Sequence, residues 1–247
     1  MKQLQLLICL LFYSPILIAQ EGGSVPYADT AKSLNGKYQL VVKGIWCDDA
    51  PCGPQSLTLS QPFGDILWTI VLDGRSLFMP IVSNCGDVAE CVGTKLTILS
   101  KTGSTKGIFD SRPLGFMADF FDMLQAFSPD SKYFYALLQS DPASVWLVVL
   151  SDSAKELHRE DLGAFHPRSP RDFHTLKDKV IAYDPSWWPD SEYVNHCCVF
   201  NKDGELIWQY DQATPGRRWS VDFDQAKGIL NILDGRSRRS IEVDTLQ

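Results

Sequence analysis

Apolar residues in this chain fall in short runs bounded by polar turns, and within many runs they alternate with polar ones. In the stretch AFSPDSKYFYALL, Ala126 to Leu138, Pro129 and Asp130 mark a turn and an aromatic run follows. Asp, Asn and Gly suit such turns because they tolerate positive φ or hydrogen-bond their own backbone. Alternating aromatic and β-branched residues suit a strand. With Asp130 as its third member, the turn-then-strand unit recurs as NGKYQLVV from Asn35, DGRSLFMPIV from Asp73, DKVIAY from Asp178 and DQAKGILNIL from Asp224. The intervals are 38, 57, 48 and 46 residues.

A second pattern follows each unit: an apolar strand enters a polar turn and leaves as another strand. It reads SLTLSQPFGDILWTIV, KLTILSKTGSTKGIF, VWLVVLSDSAKELHRE and CCVFNKDGELIWQY. The third unit offers four strand-like pieces, DMLQAF, KYFYALL, VWLVVLS and KELHRE. Four short antiparallel strands every 40–50 residues is the pattern of a propeller blade, on the order of that seen in radial β architectures. FSPDSKYFYAL followed by VWLVVLSDSAKEL resembles the WD40-like β-propeller repeat of exported bacterial proteins. The likeness runs over Phe127–Glu160, is partial over Phe173–Tyr210, and has Ser131 where that repeat carries Gly.

The expected fold is therefore all-β and β-propeller-like, with about five blade-like antiparallel units, some incomplete; the alternatives are a β-sandwich or an open half-propeller. The last unit, RWSVDF, GILNIL and RSIEVDTL, supplies three strands, and SVPYAD (Ser24 to Asp29) is the expected donor of a closing fourth. A turn or two of helix is expected near Met117 to Met123.

The N-terminus changes the picture. Lys2 is the only charge before Glu21, and the apolar run Leu6–Ala19 is 14 residues, short of the roughly 20 needed to span a bilayer. With Leu17 and Ala19 before the cut, residues 1–19 read as a signal peptide, leaving 20–247 as a single domain in a secreted or periplasmic protein. No later stretch predicts a membrane span. The net charge is −7, or −8 once Lys2 is lost, which argues against nucleic acid as partner.

Six cysteines remain, an even number that suggests disulfides in an exported chain. Close spacing favours Cys47–Cys52 and Cys85–Cys91. Cys197 and Cys198 are neighbours that a strand would send to opposite faces. A vicinal bridge, other partners or reduced thiols all stay open for them. The spacing is not that of a zinc site, and no metal or cofactor is expected.

No nucleophile elbow, zinc-protease, P-loop or dinucleotide motif is present. The inner strands of a propeller would begin near DMLQAF, RDFHTL and RRWSVDF, carrying Asp122, Asp172, His174, Arg218 and Asp222 towards the axis. Asp122 and Asp172 could then serve as acid and base of a glycoside hydrolase. The loop YDPSWWPDSEY concentrates Asp184, Trp187, Trp188 and Asp190, a composition suited to a sugar face or protein hot spot. DGRSRR (Asp234 to Arg239) is a basic cluster able to hold an anionic group, with Arg217 and Arg218 as possible neighbours. The leading expectation is an exported, non-catalytic binding protein whose loops meet an unidentified protein or glycan, one version being an inhibitor or immunity-type protein. The alternatives are a small propeller-type glycoside hydrolase and a structural component of an envelope complex.

Overall fold

The structure is a computed structural model that describes residues 24–47, 50–72, 79–112, 124–141, 144–162, 173–183, 194–214 and 217–246. The expected signal peptide and the helical turn near Met117 to Met123 lie outside these residues. Among the described residues the chain is all-β, with five antiparallel sheets that each take consecutive strands. The first holds β1 (Ser24–Lys32), β2 (Gln39–Cys47), β3 (Ala50–Ser60) and β4 (Ile66–Leu72). The second holds β5 (Ile81–Val82), β6 (Val88–Val92), β7 (Lys95–Leu99) and β8 (Thr105–Asp110). The third holds β9 (Leu124–Phe127), β10 (Tyr133–Asp141), β11 (Ser144–Ser151) and β12 (Glu156–Asp161). The fourth holds β13 (Phe173–Leu176), β14 (Lys179–Tyr183), β15 (His196–Asn201) and β16 (Leu206–Asp211). The fifth has three strands, β17 (Trp219–Asp224), β18 (Ile229–Asp234) and β19 (Ser237–Glu242).

Two turn types repeat. Between first and second strands, the Ser33, Ser83 and Ser128 carbonyls accept from Gly36, Gly86 and Ser131 N–H at 2.9, 3.1 and 2.8 Å. Each serine hydroxyl accepts a further backbone N–H, from Tyr38, Asp87 and Tyr133, at 3.0 Å. The fourth turn residue is left-handed, with φ 68° at Gly36, 88° at Gly86 and 62° at Ser131. Ser131 thus occupies the position that the other two turns give to glycine, which adopts it without steric cost. Between third and fourth strands, Gly64, Gly103, Ala154 and Gly204 are the left-handed residues. The pairing register shifts beside each of these turns, between Leu59 and Ser60, Ile98 and Leu99, Val149 and Leu150, and Val199 and Phe200.

These turns correct two expectations. The unit read from Asp73 is not a turn between first and second strands; Ile81–Val82 within it is itself a first strand, and the matching turn is Ser83–Asp87. Measured on the serines, the first two intervals become 50 and 45 residues, so the apparent irregularity disappears. Ser24 to Asp29 does not complete the last sheet. It lies in β1 and pairs with β2 from Ser24↔Cys47 to Lys32↔Gln39. Continuity decides this, because a short turn at 33–38 returns the chain directly onto β1.

Four apolar cores join the five sheets in chain order. Leu40, Val42, Leu57 and Leu59 meet Val82, Val88 and Leu99 between the first and second. Ala89, Cys91, Leu96 and Ile98 meet Phe134, Ala136, Leu138 and Val148 between the second and third. Tyr135, Leu137, Leu147 and Val149 meet Val180, Ala182, Cys198 and Phe200 between the third and fourth. Ile181, Tyr183, Cys197 and Val199 meet Trp219, Val221, Leu230 and Ile232 between the fourth and fifth. Alternation along β10, β14 and β15 thus feeds two cores from one strand.

The approach is close where Gly107 of β8 meets the turn of the next sheet: a Cβ there would lie 1.9 Å from the Ser153 carbonyl oxygen. Gly107→Ala is expected to cost about 3 kcal/mol, because backbone rather than a pliant side chain must yield; chemical denaturation reads this directly. Glu90 of β6 is 5% exposed, and Oε2 has no hydrogen-bond partner among the described residues. Burial raises its pKa against a smaller lowering by the Thr97 hydrogen bond. The folded state then holds this proton more tightly than the unfolded chain, so stability falls as pH rises from the ordinary carboxylate range through the raised value. Glu90→Gln is expected to flatten that decline and raise the melting temperature at neutral pH, as thermal scans across pH would show.

Candidate functional site

First strands of successive sheets run beside one another: β1 contacts β5, β5 contacts β9, and β9 contacts β13. These strands and the turns after them surround a funnel of about 180 Å³. Lys32 and Leu34 line it from the first sheet, Val82 and Asn84 from the second, Gln125 and Phe127 from the third, and His174 and Thr175 from the fourth. Gln225, just after β17, adds the fifth. All five sheets therefore contribute to one concavity.

Hydrogen bonds between sheets hold its wall. Asn84 Oδ1 accepts from Asn35 N–H at 2.8 Å, while its Nδ2 donates to the Pro129 carbonyl at 2.8 Å. One side chain thus ties the turns of the first, second and third sheets. Gln125 Nε2 donates to the Met79 carbonyl at 3.0 Å, and Thr175 Oγ1 donates to the Phe127 carbonyl at 3.0 Å. His174 Nε2 shares a 3.1 Å hydrogen bond with the Tyr183 hydroxyl. The imidazole also lies 5.2 Å from the Phe223 ring, which seats it between the fourth and fifth sheets.

The lining is mixed: apolar Val82, Leu34 and Phe127, neutral amides and hydroxyls, and one ammonium at Lys32. Among the described residues, no carboxylate lines it. The serines of the wall are already engaged in turns, Ser128 Oγ donating to Asp130 Oδ1 at 2.7 Å. Such a surface offers donors and acceptors to a polar ligand or an inserted side chain.

Of the residues singled out from sequence, the funnel gathers His174. Arg218 is not there. It precedes β17, and the six residues of that strand, a rise of about 20 Å, separate it from Gln225. Asp222 is exposed between the buried Val221 and Phe223, so its side chain points away from the fourth sheet. Asp122, Asp172, Asp184, Trp187, Trp188 and Asp190 lie outside the described residues, as do the side chains of Cys47 and Cys52.

Cys85 and Cys91 are not joined. Cys85 sits exposed in the turn before β6, whereas Cys91 is buried four residues beyond Asp87, a rise of about 13 Å. A disulfide needs Cα atoms within about 7 Å. Burial, with Glu90 beside it, pushes the Cys91 thiol up to about 12. It stays protonated and faces the Gly93 carbonyl at 3.5 Å. Cys197 and Cys198 are buried in different cores. No cluster of three or more His, Cys, Asp or Glu that could hold a metal is found among the described residues.

Asn84, Gln125 and Thr175 were not legible as site residues, though each carried a signal. Asn84 occupies the turn after a first strand, as Leu34 and Pro129 do, Gln125 interrupts an otherwise apolar β9, and Thr175 sits beside His174 in β13.

Among the described residues the protein is thus all-β, with five small antiparallel sheets that each contribute to a funnel of mixed lining. No family model and no curated protein matches the chain. Among solved structures it is similar to a protein of unknown function from Bacteroides caccae, at 9% identity and a TM-score of 0.36, over 78% of this chain and 66% of that one. Among the described residues no helix is long and apolar enough to cross a membrane.

Thr175 is 5% exposed, and its hydroxyl is the link between the fourth sheet and the Phe127 carbonyl. Thr175→Val removes that donor at nearly constant volume and is expected to cost about 1–2 kcal/mol. Equilibrium unfolding checks it, with Thr175→Ser as the variant that keeps the hydrogen bond.

Proposed function

We propose that this is an exported, non-catalytic binding protein of propeller-like design, and that the funnel at its first strands receives a partner protein or glycan. The observation that carries the reading is the convergence of all five sheets on that one concavity. A fold whose sheets each contribute a first strand to one centre is the arrangement in which radial β architectures place their ligands. The sequential four-stranded meanders, the face-to-face stacking and the repeated turns support the propeller-like description. The apolar run at residues 6–19 supports export.

The described lining is amide, hydroxyl and apolar, with serines engaged in turns, a surface that supports recognition. Among the described lining residues Lys32 carries the one full charge, which suits a neutral or weakly anionic group.

The test is capture by the mature, oxidised protein from envelope and culture fractions of its source organism, run beside a glycan array. One protein or one glycan class is expected to bind the wild type and to bind Lys32→Glu and Gln225→Leu at least about tenfold more weakly. Undiminished binding by both variants, with their melting temperatures unchanged, would place recognition elsewhere and overturn the reading.

A further inference from the structure

The fifth sheet is built differently from the other four. In those, the third strand is covered on both edges: β3, β7, β11 and β15 each pair with a second and a fourth strand. β19 pairs with β18 alone, from Ile229↔Glu242 to Asp234↔Ser237, and no described residue takes the place beyond it. Its composition differs too. β11 reads SVWLVVLS and β15 HCCVFN, with buried interiors, whereas β19 reads SRRSIE and is exposed over Ser237–Ser240.

Arginines collect at this edge. Arg236 lies in the tight turn before β19, and Arg238 and Arg239 follow within it. The Gly235 N–H donates to the Arg218 carbonyl at 2.7 Å, which brings Arg217 and Arg218 to the same corner. All five side chains belong to exposed residues, and none is in an ion pair with a described residue. Arg239 lies over the Tyr210 ring at 4.7 Å, so its guanidinium is held by packing, while Arg236 and Arg238 have no such anchor. Asp234, the nearest carboxylate in the turn, is occupied by the Tyr210 hydroxyl at 3.1 Å and the Ala213 N–H at 2.9 Å. In a chain of net charge −7, a corner with five arginines is a local reversal of sign.

We propose that the open edge of β19 accepts an extended acidic segment of a partner protein as the missing fourth strand of the fifth sheet. An unpaired edge offers a ladder of backbone groups, and strand addition supplies affinity through main-chain hydrogen bonds while side chains supply selectivity. Arginines on the edge repel a second copy of β19, since pairing like with like sets Arg against Arg. The same groups select a strand carrying carboxylates, to which guanidinium binds in bidentate fashion. This occupant is independent of the funnel, which lies at the other end of β17.

The probe is a short fluorophore-labelled peptide alternating Glu and Val, followed by anisotropy and by hydrogen exchange on the mature protein. Saturable binding that weakens with salt is expected, together with slower exchange of alternate β19 amides. Arg236→Glu with Arg238→Glu is expected to weaken binding at least about tenfold, and the milder Arg236→Gln with Arg238→Gln pair guards against misfolding. The same peptide with Lys for Glu is expected not to bind. No saturable binding overturns the proposal. So does binding without protection of β19, or preference for a heparin fragment that leaves the amides unprotected, because side-chain capture of a polyanion needs no strand.

Discussion

An extended chain sends successive side chains to opposite faces, and the three middle sheets of this protein have an apolar neighbour on each face. Their inner strands cannot alternate apolar with polar, as a sheet with one wet face does. β10 therefore sends Phe134, Ala136 and Leu138 to the second sheet and Tyr135 and Leu137 to the fourth. β14 and β15 divide their residues in the same way, which is why Cys197 and Cys198 end in separate cores. Among the described residues the terminal sheets have one such neighbour each. Val41, Thr58 and Val71 of the first, and Ser220, Asp222 and Arg238 of the fifth, are exposed or half-buried on the remaining faces. Stacking of this kind sets the strand lengths, fixes register against slippage and brings the first strands side by side.

Much of this was legible from turns and alternation. Every hairpin read as strand, polar turn and strand is present, from SLTLSQPFGDILWTIV to CCVFNKDGELIWQY. The stretch AFSPDSKYFYALL is indeed β9, a turn and β10, with Ser131 in the left-handed position usually held by glycine. The misplaced unit at Asp73 shows the limit: DGR is a strong local turn signal, while the structural counterpart of SPDS is SNCG at 83–86, with no Asp or Pro to mark it. Strand closure was misjudged for a related reason. Local alternation identifies Ser24–Asp29 as a strand but carries no information about which edge it joins.

The site was less legible than the fold, because its wall is tied together by neutral side chains whose partners stand 45 to 49 positions away in the chain. Asn84 reaches both Asn35 and Pro129, and Gln125 reaches Met79. Composition highlights charges and tryptophans, whereas this wall depends on amides whose partners are backbone groups. His174 was found from sequence because RDFHTL was recognisable as a first strand; Arg218, read from the neighbouring RRWSVDF, precedes its strand and falls at the wrong end.

Four cores joining five sheets in chain order also define how stability is distributed. Each sheet is a meander of neighbouring strands, so the contacts that complete it are short in sequence, and the cores, with the hydrogen bonds of the funnel wall, couple one sheet to the next. The molecule then behaves as a row of coupled units: a lesion in a terminal sheet endangers one coupling, a lesion in an inner sheet endangers two. Fraying should begin at the ends and spread inward, with the third sheet, which has a core on each face and lies farthest from either end of the row, as the last region to open to solvent.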